Sequence, residues 1–283
     1  MANGRVLKKI TLDIFKQWLQ VLGVQPGFSL IARRARCNHF QAQAVIIMYN
    51  AHQSLLHQTV LVLGGASGIG AAVARQARAR GARVIVASRQ AVSPGEGIEA
   101  CVADITDTRA LQALFSGVGT VDHLVISAGP AVQARPLAQS DLQLAREAFE
   151  VKFWGALQAI QLALPHLSAH ASISLTSGLL SRKFVAGQMI KTTLNAALEA
   201  LARQLAKELA PRRVNVVSPG LTETEAYAGM DAESRQAMFA RAGAGLPVGR
   251  VGAADEVAAG YLLAMENGFM TASVIDIDGG GLI

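Results

Sequence analysis

The chain has 283 residues, 51% hydrophobic and 16% charged, enough to bury a full core in one main domain. Its two cysteines, Cys37 and Cys101, lie far apart with no CxxC pair or Cys/His cluster; this excludes a disulfide framework and a zinc site and points to a reducing, cytoplasmic compartment. The net charge of +6 resides in residues 1–57, where seven Lys/Arg face the single acid Asp13, while the other 226 residues balance nineteen basic with nineteen acidic side chains. The body therefore lacks the basic footprint that a nucleic-acid partner requires.

Residues 1–57 read as an N-terminal extension. Leu7, Ile10, Ile14, Trp18 and Leu22 recur about one helical turn apart, with Lys8, Lys9 and Lys16 elsewhere, which is an amphipathic pattern. Three readings fit: a dispensable leader ahead of a start at Met48, a helix that docks on a partner or a membrane surface, and a targeting segment. The dispensable leader is preferred over membrane contact, and few serines make a poor transit peptide. No run of roughly 18 uncharged apolar residues occurs, so no spanning helix is expected.

From Thr59 onward, short β-branched runs alternate with helical stretches. Strands are expected at 59–63, 83–87, 97–102, 123–126, 172–176, 214–217 and 273–277, and helices at 69–80, 109–115, 142–164, 187–209, 232–241 and 254–265. This order predicts an α/β fold: a Rossmann-type, doubly wound parallel sheet of about seven strands in a single domain, 58–283. Ligands of such sheets sit at the carboxyl ends of the strands, so the chemistry should follow each strand.

The first strand runs into Gly64, Ala66, Ser67, Gly68, Ile69 and Gly70. Gly64 permits the turn, Gly68 lets backbone N–H groups approach a pyrophosphate, and Gly70 lets the helix lie close to the sheet, with its N-terminus facing the anion. The second strand ends in Ser88 and Arg89 rather than the acid that would hold a ribose 2′-hydroxyl. A guanidinium beside a hydroxyl suits a 2′-phosphate, so the expected cofactor is NADP(H).

Over 58–283 the chain resembles the short-chain dehydrogenase/reductase family. The resemblance lies in the glycine loop with Leu63 before it, Asp104-Ile105, Ser127-Ala128-Gly129, Arg213-Val214-Asn215, Ser218-Pro219-Gly220 with Thr222 and Thr224, Gly249-Arg250-Val251-Gly252 and Asp278-Gly279-Gly280. It implies that Asp104 and Ile105 border the adenine, Ser127, Ala128 and Gly129 support the ribose side, and Pro219, Gly220, Leu221, Thr222 and Thr224 flank the nicotinamide. It also implies a homodimer or homotetramer packed through the helices at 142–164 and 187–209.

The catalytic pattern departs from that family. There a Tyr supplies the proton, a Lys four residues later lowers the Tyr pKa and holds the ribose, a Ser polarises the substrate oxygen, and an Asn orders a water relay. Ser177 is similar to the serine and Lys191 to the lysine, but Gly187 stands four before Lys191 and Lys152 stands for the asparagine. The segment 177–191 is also short, which leaves the local register open. Lys152, Tyr227, and Arg182 with Lys183 are the candidate substitutes; His123, His166 and His170 read as structural, and no metal is expected.

Two function classes stand. One is an NADP(H)-dependent oxidoreductase interconverting a small carbonyl and an alcohol with a non-standard proton donor; the other is a catalytically silent NADP(H)-binding sensor or partner protein. Trp154, Leu179, Leu180, Phe184, Met189 and Tyr227 suggest an apolar substrate wall.

Overall fold

The layering follows from alternation within the strands. In β1 (Thr59–Leu63), Val60 and Val62 turn to one face and Leu61 and Leu63 to the other, all four buried, as the two-residue period of a strand covered on both sides requires. The computed structural model describes residues 53–130 and 132–283, a span dominated by a unit running from Gln53 to Ile283. The expected leader and its amphipathic helix lie outside the described residues.

Six further strands join β1: β2 (Arg83–Ser88), β3 (Ile98–Val102), β4 (Val121–Ile126), β5 (Leu167–Thr176), β6 (Arg213–Pro219) and, after the short pair β7 (Thr222–Glu223) and β8 (Gly252–Ala253), β9 (Val274–Ile277). The sheet order is β3-β2-β1-β4-β5-β6-β9, all parallel, so the expected seven-stranded fold is present. The strand order reverses between β1 and β4, which opens a crevice at their carboxyl ends.

Helices α1 (Gly68–Ala79) and α7 (Ala254–Glu266) cover the Val60/Val62 face through Val73, Ala77, Val257 and Tyr261. On the Leu61/Leu63 face lie α2 (Thr108–Val118), α3 (Leu142–Phe149), α4 (Gly155–Ala163) and α5 (Met189–Glu208), which contribute Leu111, Phe115, Ala148, Ile160, Leu194 and Leu198. A further helix, α6 (Ala232–Ala244), follows β7. Asp107 caps α2 by accepting from the N–H groups of Arg109 and Ala110 at 2.9 and 3.1 Å, a contribution of about 1 kcal/mol. Among the described residues no helix is long and apolar enough to cross a membrane.

Two expected helices differ in ways that bear on the site. The stretch 142–164 is interrupted by a π-helical turn, Glu150–Trp154, which separates α3 from α4 and carries Lys152. Such single π-helical turns redirect side chains that a regular helix would send elsewhere. The helix expected from Gly187 begins instead at Met189, because Gly187 has φ +79° and its carbonyl accepts from Arg135 N at 2.9 Å.

The Arg213-Val214-Asn215 segment is a staple. Arg213 donates to the carbonyls of Ala264, Met265 and Met270, and Asn215 to that of Met270, fastening the end of α7 to the chain before β9. His123 is also structural: its ring bonds Ser172 Oγ at 2.7 Å and Gln58 Oε1 at 2.5 Å, and burial pushes its pKa down to about 4. A His neutral in the fold and protonated when unfolded favours unfolding as acid is added. Stability is therefore expected to fall by about 3 kcal/mol between pH 6.5 and pH 4 from this group, and urea melts should show His123→Gln losing much of that slope.

Candidate cofactor and active site

The site begins where β1 ends. Gly64 turns with φ +87°, and a Cβ there would lie 2.5 Å from Ala128 N; one at Gly70 would lie 2.2 Å from Gly64 O. Both positions therefore exclude any side chain, at a cost of about 1–3 kcal/mol or more for alanine. The loop after β4 is stitched to the same turn, because Ser127 N and Ala128 N both donate to Leu63 O, at 2.9 and 3.0 Å.

These loops border a cleft of about 1140 Å³ at the carboxyl ends of the strands. Of the residues expected to hold a cofactor, Gly64, residues 66–70, Ser88, Arg89, Asp104, Ile105, residues 127–129 and Thr224 line it. Pro219, Gly220, Leu221, Thr222 and Lys191 do not. Thr222 is buried and donates to Gly220 O at 3.0 Å, while Gly220 N donates to Ile277 O, so that turn is bound to the segment after β9.

Charge is distributed unevenly along the cleft. Arg89 is exposed at the end of β2, beside Ser88, whose hydroxyl donates to Gln90 O at 2.5 Å. Hydrogen bonds from Thr106 N and Oγ1 hold the Asp104 carboxyl below its usual range, and the Arg89 charge adds to the effect. At the N-terminus of α1, Gly68 N donates to Glu225 Oε2 at 2.7 Å. An anion binding on those N–H groups must displace that carboxylate. Glu225→Ala is accordingly expected to tighten NADPH binding roughly three- to tenfold, the range for an exposed charge-assisted contact, as read by fluorescence titration.

Thr176 and Ile190 carry the cleft to the neighbours of Ser177 and Lys191. Ser177 is buried at the end of β5, with its N–H on Val217 O at 2.9 Å. The Lys152 stem passes beside Gly129, and its ammonium donates to Asn195 Oδ1 at 2.7 Å and Ser177 O at 3.3 Å. Burial, with the like charge of Lys191 added, pushes the Lys152 pKa down to about 8; burial also lowers that of Lys191. Lys152 and Ser177 thus meet behind the residues that line this end of the cleft, with the Lys191 charge felt by Lys152.

The other candidates make contacts of their own, as does Tyr261, which the sequence did not single out. Tyr227 stands edge-on to Phe239 with ring centroids 5.3 Å apart, and Tyr261 is fully buried against Thr176. Arg182 pairs with Asp276, and Lys183 donates to Gly281 O at 2.6 Å, so both anchor the C-terminal segment.

Two residues at this end escaped the sequence reading, Asn195 and Glu199. Asn195 receives the Lys152 ammonium, and Glu199 receives the Ser177 hydroxyl at 3.1 Å. Both follow Lys191 at helical spacing, four and eight residues on, and that periodicity was the available signal.

A doubly wound parallel sheet with a glycine-loop cleft at its switch point defines a nucleotide-binding protein of the Rossmann type. A family profile described as enoyl-(acyl carrier protein) reductase matches residues 64–281. The short-chain dehydrogenase/reductase ATR9 of Stachybotrys chlorohalonatus is 33% identical over 248 residues, covering 80% of this chain and 97% of its own. Carbonyl reductase family member 4 of Danio rerio is 30% identical over 240 residues, covering 80% and 98%. Among solved structures, a small-chain dehydrogenase in complex with NADPH is 43% identical with a TM-score of 0.69, covering 80% of this chain and 98% of that one. The chain belongs to the short-chain dehydrogenase/reductase family, a family of oxidoreductases.

Proposed function

We propose that this protein is an NADP(H)-dependent oxidoreductase that interconverts a carbonyl and an alcohol, with Lys152 as the group that gives and takes the proton. The observation that carries this reading is the Lys152 ammonium, part-buried beside Ser177, its pKa about 8. A general acid works best with a pKa near the working pH.

The residues present fit the cofactor. Gly64 and Gly70 leave a cradle that a Cβ would fill, the Gly68 N–H already holds a carboxylate, and Arg89 supplies a guanidinium for a 2′-phosphate. The NADPH complex of the 43% identical relative supports the same choice. Bound there, NADP(H) would supply the hydride that reduces the substrate carbon, or take it up in the reverse direction.

The chain's own residues supply the rest. Asn195 Oδ1 and Ser177 O hold two of the Lys152 N–H bonds, leaving the third for a substrate oxygen. Protonated Lys152 gives its proton to the oxygen as the alcohol forms, and the neutral amine takes it back in the reverse direction. Lys191, one helical turn before Asn195, adds a positive charge that favours an oxyanion.

This reading shifts the comparison with the family by one turn. Lys191 and Asn195, rather than Gly187 and Lys191, stand as its tyrosine and lysine, and the family's lysine and asparagine have exchanged places as Asn195 and Lys152. The exposed Leu142, Leu144 and Trp154 support a homodimer or homotetramer through α3 and the turn after it.

A second reading is an NADP(H)-binding protein without turnover, favoured because neither described tyrosine bonds Ser177: the Tyr227 ring packs on Phe239 and the Tyr261 hydroxyl pairs with Thr176. Following NADPH absorbance across ketones, aldehydes and quinones separates the two. Consumption with one of them supports the enzyme, and tight NADPH binding with no consumption supports the silent protein.

A further inference from the structure

Glu199 is a buried carboxylate that the carbonyl–alcohol chemistry does not itself require. It is 4% exposed on α5, and its Oε1 accepts from both Ser177 Oγ at 3.1 Å and Ser181 Oγ at 2.5 Å. Its Oε2 lies 3.7 Å from Arg182 Nε, and Arg182 is braced in turn by Asp276 and Ser218 Oγ. An acid buried at this depth needs such partners, and here they include the hydroxyl of Ser177, whose backbone carbonyl accepts from Lys152.

A serine hydroxyl has one proton and two lone pairs. With that proton directed at Glu199, Ser177 has only acceptor capacity for the cleft. It cannot donate to a substrate carbonyl while the contact holds; it can accept from a substrate hydroxyl. The Lys152 ammonium has the complementary character, because it only donates. While Lys152 is protonated it donates to the oxygen of either form, and only the alcohol has an O–H for Ser177 to accept until the neutral amine takes that proton.

Resting on the reading above, we infer that Glu199 is a positioning residue that fixes Ser177 as a hydrogen-bond acceptor and so makes the site bind the alcohol form of its substrate through Ser177. The carboxylate does not line the cleft. Its effect passes through one hydroxyl, whose proton it holds away from the cleft.

In Glu199→Gln the amide can turn its N–H₂ toward the serines, because Arg182 already supplies donors on the other side. Ser177 then recovers its proton for the cleft. The test uses the full chain with the most active ketone of the panel and NADPH, and the corresponding alcohol with NADP⁺. Glu199→Gln should raise KM for the alcohol roughly five- to tenfold, the worth of one hydrogen bond, with KM for the ketone unchanged or lower. In a Ser177→Ala background the same substitution should no longer separate the two substrates. Ser181→Ala, which leaves the Ser177–Glu199 contact in place, should keep the wild-type preference and serves if Glu199→Gln fails to fold. For it, a lost preference would count against the inference.

Equal effects of Glu199→Gln on ketone and alcohol, or an asymmetry that persists without Ser177, would overturn the inference while leaving the carbonyl–alcohol reading intact. A wild-type chain silent across the panel in both directions would overturn both.

Discussion

Lys152→Met is expected to lower the rate of NADPH-dependent carbonyl reduction by about 10²- to 10⁴-fold, the usual contribution of a positioned general acid, and to raise thermal stability. The two effects share one cause. Burial and the neighbouring Lys191 charge hold the Lys152 pKa near 8, below the 10.5 usual for a lysine, so keeping it protonated at pH 7 costs folding free energy. Discounted for solvent screening of a part-buried group, that cost is about 1–3 kcal/mol.

The sign follows from linkage. Between pH 8 and 10.5 the unfolded chain binds the proton and the folded chain releases it, so native stability rises across that window, and below pH 8 the full cost is felt. Methionine removes the cost along with the proton. Paired melts and initial rates at pH 7 check this; a slower enzyme that is also less stable would point to a packing role for Lys152. NADPH affinity should change little, since Arg89 and the glycine loop lie at the other end of the cleft.

The second large effect concerns cofactor choice. Arg89→Glu is expected to weaken NADPH binding by about 10- to 100-fold, the range for losing charge-assisted hydrogen bonds to a phosphate, while leaving NADH binding unchanged or improved. A carboxylate there repels a 2′-phosphate and can accept from a 2′-hydroxyl. The exposed position of Arg89 at the end of β2 makes the substitution harmless to the fold. Titration with both cofactors decides it, and equal losses for the two would show that Arg89 does not read the phosphate.

The fold was legible because each strand carries its own signal. The run Val60–Leu61–Val62–Leu63 is apolar on both faces, and Gly64, Gly68 and Gly70 follow at spacings that only a close turn and a close helix explain. Those are local properties, readable within about ten residues. The cofactor end of the cleft is built of such segments.

The catalytic end was less legible, because it depends on how segments distant in sequence meet. Which residues of α5 face Ser177 depends on where that helix starts. Its start at Met189 follows a turn in which Gly187 is held by Arg135, some fifty residues earlier in the chain. No count within the loop reveals that. Lys152 points at Asn195 because a π-helical turn rotates it there, and apolar periodicity passes through Glu150–Trp154 without marking the change. Tyr227 was a reasonable candidate by sequence position, yet its ring found Phe239.

The central claim is that Lys152 handles the proton, and the pH dependence of kcat for carbonyl reduction with NADPH tests it most directly. The rate should be flat below pH 8 and fall above it as the ammonium is lost. Lys152→Met should abolish that inflection, whereas Ser177→Ala should lower the rate and keep it. An inflection near pH 8 that survives in Lys152→Met would show that another group handles the proton.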